Sequence, residues 1–199
     1  NAVYGNASMI TEKVLERKEF SGLHFTGSTS VFNSFWKTIG ENISNYNTYP
    51  KIVGETGGKD FIVAHKSANP KQVSTAITRG AFEFQGQKCS AASRGYISQS
   101  IWIDVKKYLI NDLESIKMGP PDNTENFVTA VIDEKSFDKI VNYIENAKSS
   151  SDVEIIAGGN YDKSKGYFIE PTVILAKDPN YITMREEIFG PVMTIFVFE

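Results

Sequence analysis

Two hydrophobic periods take turns along this chain, and their alternation limits the folds open to it. Val31, Phe32, Phe35, Trp36, Ile39 and Ile43 return at helical steps; so do Val73, Ile77, Ala81 and Phe84. The same steps link Val105, Tyr108, Leu109, Leu113 and Ile116, and later Phe137, Ile140, Val141, Ile144 and Ala147. A further helix is expected over 8–17, with Ile10, Val14 and Leu15 on one face. Between these patterns lie short extended runs: 23–26, 60–64, 95–98, 154–157, 167–175 and 193–199. The run 60–64 reads as a buried strand, and Pro171 puts an edge or a bend into 167–175. Asn69 before Pro70 marks a helix start, and Asp133 caps another helix. Strands that alternate with helices argue for an α/β fold with parallel pairing.

At 199 residues and 41% hydrophobic content, the chain can bury a core in one domain, or in one and a part. Its net charge is −3, with acids and bases mixed, so nucleic acid is not an expected partner. No apolar run approaches the ~18 residues of a membrane span. A single cysteine excludes an intramolecular disulfide and suits a reducing compartment. The chain opens on Asn1, not Met, and closes on a strand-like run without a turn. It reads as an internal fragment of a longer protein.

That cysteine stands in Phe82-Glu-Phe-Gln-Gly-Gln-Lys-Cys89-Ser-Ala-Ala-Ser93. A lone cysteine is most often a small buried hydrophobe. Here a glycine and two polar residues precede it, so the backbone can turn tightly. The small residues Ser90, Ala91 and Ala92 follow, leaving room for a substrate and a close backbone N–H. A thiolate adding to a carbonyl needs that access and those amide donors.

Upstream lies Gly54-Glu55-Thr-Gly-Gly-Lys59, a carboxylate on a turn after Ile52-Val53. Gly-Gly permits positive φ and close approach of another group. Glu55 on such a turn can act as a general base, although alone it reads equally as a solvated turn. Gly27-Ser28 lies between an expected strand and an expected helix, where free N–H groups and the helix dipole favour an anion. From the pattern alone, a phosphate site and a plain Ser N-cap stand level. His24 sits on one expected strand and His65 follows another; both read as structural, and Lys59 and Lys88 as solvated or structural.

Glu55-Thr-Gly-Gly-Lys59 and Phe82 to Cys89 resemble the two active-site signatures of the aldehyde dehydrogenase superfamily, E-x-G-G-K and F-x-x-x-G-Q-x-C. Glu186-Glu-Ile-Phe-Gly-Pro191 matches a third motif, and Glu170-Pro-Thr172 a fourth, structural one. The resemblance covers the whole chain. Within the superfamily it is most similar to the glutamate-semialdehyde (pyrroline-5-carboxylate) dehydrogenases, through Gln87 to Ala91, Ala130 to Phe137 and Gly166 to Pro171.

The resemblance implies a three-layer α/β fold with a mostly parallel sheet. Residues 1–51 would be the end of an NAD-binding domain, and 52–199 a catalytic domain incomplete at its C-terminal end. It implies NAD-dependent oxidation of L-glutamate 5-semialdehyde to glutamate, with Cys89 as nucleophile and Glu55 as deacylation base. The segment Gly27, Ser28, Thr29, Ser30 and Val31 would hold the NAD pyrophosphate. Glu187 would bind the nicotinamide ribose, with Phe189 beside the nicotinamide. Ser90 would donate to the substrate's α-carboxylate. The implied partners are a small aldehyde and further copies of the full-length chain, without metal, membrane or nucleic acid. The implied place is the mitochondrial matrix in a eukaryote, otherwise the cytoplasm. Taken by itself, the piece is expected to be inactive. Another aldehyde as substrate, or a non-catalytic relative, are the alternatives.

Overall fold

The computed structural model describes residues 2–199. They form two compact units, the first ending at Gly57 and the second running from Gly58 to Glu199.

In the first unit, α1 (Ala7–Leu15) starts at Asn6, whose side chain accepts from the Met9 N–H at 3.0 Å. There follow β1 (Gly22–Thr26), α2 (Thr29–Glu41) and β2 (Lys51–Glu55). β1 and β2 pair in parallel, with Thr26 opposite Glu55. Parallel neighbours need a crossover, and α2 supplies it. Leu15, Phe20, Phe35 and Ile39 are the buried core here, with Leu23, Phe25, Phe32 and Ile52 packed against them. Glu55, expected on a turn, is instead the last residue of β2. The Gly27 N–H donates to its carbonyl at 3.1 Å, so the ladder runs one bond past β1 and draws Glu55 into the strand.

The second unit contains β3 (Asp60–Ala64), α3 (Pro70–Phe82), β4 (Ala92–Ser98), α4 (Gln99–Ser115) and α5 (Glu134–Ser149). It continues with β5 (Val153–Ala157), the short antiparallel pair β6 (Tyr161–Asp162) and β7 (Phe168–Ile169), β8 (Thr172–Ala176), α6 (Ile182–Arg185) and β9 (Val192–Phe198). Both expected caps form: Asn69 accepts from the Lys71 and Gln72 N–H groups, and Asp133 from Ser136. Five strands order as β3-β4-β9-β8-β5. Every pair is parallel except β8 with β5.

Alternation along β8 and β9 divides two cores. Val173, Leu175, Met193 and Ile195 face α3 and α4, packing with Ile77, Phe82, Val105 and Leu109. Ile174, Ala176, Val192 and Phe196 face α5, with Ile140 and Ile144. Helices thus cover both sides of a mostly parallel sheet, the layered α/β architecture that the alternation of periods implied. Pro171 bends the chain between β7 and β8, and β8 itself lies inside the sheet. The strand 60–64 forms as β3 but at the sheet edge, and Phe61 and Val63 are each 59% exposed. Only its Ile62 and Ala64 face reaches the α3–α4 core; the other face lies beyond the α5 layer. Among the described residues no helix is long and apolar enough to cross a membrane.

Candidate functional site

In the first unit, the strand ends of β1 and β2 bring Glu55 and the 27–31 segment together. Ser28 caps α2, its Oγ accepting from the Val31 N–H at 3.4 Å. The capped end still leaves the Thr29 and Ser30 amides outside the helical ladder. No acidic side chain lies in that first turn, and residues 27–31 are all exposed. Cap and anion site are therefore compatible at one helix end. Gly27 has a local reason as well: a Cβ there would stand 2.5 Å from the Phe25 ring. That ring stacks on Phe32, with centroids 5.9 Å apart. Beside this helix end, α1 and α2 bound an apolar groove of about 630 Å³, lined by Ile10, Val14, Leu23, Phe25, Val31 and Phe35 among others. Sequence reasoning missed the groove. Its only trace was the apolar face of 8–17, which reads as ordinary packing.

In the second unit, Cys89 lies on a loop whose shape is set before it. After α3 the backbone takes left-handed φ at Phe84 (54°), Gln85 (57°) and Gly86 (64°). Any side chain at Gly86 would have its Cβ 2.3 Å from the Gly190 carbonyl oxygen and 2.8 Å from that of Ala81. The buried Gln85 amide, in the orientation that satisfies its neighbours, accepts from Thr129 Oγ1 at 2.9 Å and from the Thr129 N–H at 2.6 Å. Gln87 Oε1 accepts from the Ile132 N–H at 2.9 Å. The Ala91 N–H then closes a turn onto the Lys88 carbonyl at 3.1 Å, leaving Cys89 and Ser90 exposed at its tip. Lys88 is at the surface, paired with Glu83 at 3.0 Å.

The Glu186–Pro191 stretch packs against this loop. Phe189 has a left-handed φ of 61° and is 40% exposed. Gly190 is held by Ile140, which a Cβ there would meet at 2.4 Å. Tyr143 donates its hydroxyl to Glu186, and burial together with that carboxylate pushes the Tyr143 pKa up to about 12. Lys139 donates to the Glu187 carbonyl at 2.9 Å. Glu187 Oε1 accepts from the Gly58 N–H at 3.2 Å. A Cβ on Gly58 would come within 3.2 Å of the Cys89 carbonyl, so one glycine backbone borders both the Cys89 loop and the Glu187 carboxylate. Cys89, Ser90, Glu187 and Phe189 thus belong to one packed set of segments in the second unit, while Glu55 and residues 27–31 belong to the first.

Of the two readings open for Lys59, solvated or structural, burial removes the solvated one. Its Nζ is buried without a hydrogen-bond partner. Burial, and next the Arg94 charge, pull its pKa down to about 8, against the opposing pull of Glu187 and Glu186. No periodicity signals this, because the charges that act on Lys59 come from distant parts of the sequence.

The sequence profile of the aldehyde dehydrogenase family matches residues 1–199. The chain is 53% identical to the mitochondrial delta-1-pyrroline-5-carboxylate dehydrogenase of Dictyostelium discoideum, over 98% of this chain and 35% of that protein. To the human mitochondrial protein of the same name it is 41% identical, over 98% of this chain and 35% of that one. Its structure superposes on the crystal structure of the Mycobacterium tuberculosis delta-pyrroline-5-carboxylate dehydrogenase bound with NAD, with a TM-score of 0.90 and 43% identity, covering 98% of this chain and 35% of that one. The chain spans about a third of the length of these relatives.

Proposed function

The chain belongs to the aldehyde dehydrogenase family, and from that premise we propose that, at the full length of its relatives, it oxidises L-glutamate 5-semialdehyde to glutamate with NAD. The observation that carries this reading is the junction at Gly58. Its amide holds the Glu187 carboxylate, and its backbone lies against Cys89, so a nucleophile and a sugar-binding carboxylate share one support. The names of the relatives support the substrate, glutamate semialdehyde being the open form of pyrroline-5-carboxylate.

The residues present fit NAD. The exposed, uncharged first turn of α2 suits a pyrophosphate, and the apolar groove beside Val31 suits a flat nucleobase. Glu187, held through one oxygen by Gly58, has its other oxygen to accept from a ribose hydroxyl. Phe189 offers an exposed ring for the nicotinamide.

In this scheme Cys89 Sγ adds to the aldehyde carbon, and the Cys89 backbone N–H donates to the oxygen of the resulting thiohemiacetal. NAD, when bound, supplies the hydride acceptor that lets this adduct become a thioester. Glu55 then takes a proton from water, the water oxygen attacks the thioester carbonyl, and glutamate leaves as Cys89 recovers its thiol. Ser90, one residue on, donates to the substrate's far carboxylate. Residues 1–51 serve as the end of the NAD-binding domain and 52–199 as part of the catalytic domain. The enzyme works as a homo-oligomer. In a eukaryote it works in mitochondria, and several relatives' names call those proteins mitochondrial.

The test is NADH formation by the full-length protein with glutamate semialdehyde and, in parallel, aliphatic aldehydes of similar length. Preference for the semialdehyde supports the reading. Equal or better turnover of the aliphatic series removes the substrate assignment, and no turnover of any aldehyde removes the enzyme.

A further inference from the structure

Lys59 lies in a charge cluster whose other members come from three parts of the second unit. Arg94 comes from β4, Lys139 and Tyr143 from α5, and Glu186 and Glu187 from the stretch after α6. Asp60, next in the chain, is exposed. The other two cations are engaged with backbone oxygens. Arg94 donates to the Lys59 carbonyl at 3.1 Å and to the Met184 carbonyl at 3.2 Å, and Lys139 donates to the Glu187 carbonyl. Tyr143 occupies Glu186. The Glu187 carboxylate has one direct donor, the Gly58 N–H. Lys59 is the next residue along, and its Nζ is the one buried side-chain polar atom among the described residues without a partner. A buried ammonium with no hydrogen bond is destabilising by itself. A feature that weakens a fold and persists in a packed site is best explained by what it does there.

We infer that Lys59 is a positioning residue: its buried ammonium is the countercharge that keeps the Glu187 carboxylate on the Gly58 amide, ready to accept from the nicotinamide ribose. This rests on the function proposed above. It assigns Lys59 no contact with substrate or cofactor. The Coulomb attraction between Lys59 and Glu187 points the same way, because that carboxylate is the strongest influence holding the Lys59 proton on. A sign follows from linkage. If NAD binding needs the ammonium, binding stabilises the protonated form, so the complex takes up protons where free Lys59 is half titrated. Affinity is then full below about pH 8 and falls as pH rises through that value.

The experiment measures NADH affinity of the full-length protein by fluorescence from about pH 7 to about pH 9.5, either side of the Lys59 value near 8. AMP, which carries no nicotinamide ribose, is the control probe. Proton uptake is read by calorimetry in two buffers of different ionisation enthalpy. The wild type is expected to bind NADH about tenfold more weakly at the alkaline end while AMP affinity stays constant. Lys59→Met is expected to show the weak NADH affinity at every pH, with AMP unchanged and proton uptake near pH 8 gone. Lys59→Arg keeps the charge, so it is expected to hold neutral-pH NADH affinity throughout. A flat wild-type NADH profile overturns the inference. So does Lys59→Met with wild-type NADH affinity, or with equal loss for NADH and AMP. If the Met variant does not fold, the wild-type series decides alone. A wild type that binds NADH at no pH removes the NAD reading itself, a different failure from a flat profile.

Discussion

Gly58 and Glu187, 129 positions apart in the sequence, meet in a hydrogen bond of 3.2 Å from backbone N–H to carboxylate oxygen. A Cβ on Gly58 would stand 3.2 Å from the Cys89 carbonyl oxygen and 3.4 Å from the Asp60 carboxylate, so a side chain there would ask the Cys89 backbone to give by a few tenths of an ångström. The bond therefore ties the segment bearing Glu187 to the edge of the loop bearing Cys89. The chemistry proposed for Cys89 and the recognition proposed for Glu187 share this support, and damage to it is expected to reach both.

Gly86 tests how rigidly that loop is built. Its φ of +64° is left-handed, and a Cβ would meet the Gly190 carbonyl oxygen at 2.3 Å. That oxygen, like the Ala81 carbonyl oxygen at 2.8 Å, is backbone and not the end of a flexible side chain. Gly86→Ala is expected to destabilise the full-length protein by about 2–4 kcal/mol, adding backbone strain to overpacking. Thermal denaturation measures this. A change within about 0.5 kcal/mol would mean that the loop relaxes freely.

The anion site proposed at α2 is better tested at Ser28 than at Gly27. A side chain at Gly27 runs into the Phe25 ring at 2.5 Å, so Gly27→Val would disturb the local packing whether or not a phosphate binds there. Ser28→Asp keeps a good N-cap and adds a negative charge where the pyrophosphate is proposed. NAD affinity by titration is expected to fall about tenfold with melting temperature unchanged. Unaltered affinity would leave Ser28 a helix cap and nothing more.

Lys59 also governs stability, with a definite sign. Its pKa is about 8 when folded and 10.5 in a model peptide. Between those values the unfolded chain holds a proton that the folded chain has released, so the Lys59 contribution to stability rises with pH across that window. Below about pH 8 both states are charged and the burial penalty is complete. Lys59→Met is expected to be more stable than wild type there, by about 1–3 kcal/mol, with the gap closing as pH rises. Denaturant melts at several pH values measure it. A Met variant less stable than wild type near neutrality would show that Lys59 has a favourable partner in the full-length protein.

Legibility of these features in the sequence followed how local their causes were. Asn69, Pro70 and Asp133 announced helix starts because a cap involves only the next few residues. Phe137, Ile140 and Ile144 announced the inner face of α5 for the same reason. The strand 60–64 was legible as a strand but not as an edge, because periodicity reports which side chains are apolar and not what covers them. Glu55 read as a turn residue because Gly57-Gly58 follows, while pairing with Thr26 holds it in β2. Lys59 was the hardest to read. The charges that act on it belong to Arg94, Lys139, Glu186 and Glu187, none of which is near it in the sequence.

The central claim is a thioester on Cys89 that Glu55 helps water to break. The most direct measurement mixes full-length Glu55→Gln protein with NAD and glutamate semialdehyde, quenches in acid, and maps the digest by mass spectrometry. The account predicts one burst of NADH per active site and a glutamyl adduct on the peptide carrying Cys89, with none in Cys89→Ala. No burst and no adduct in Glu55→Gln, or an adduct on any residue other than Cys89, would contradict it.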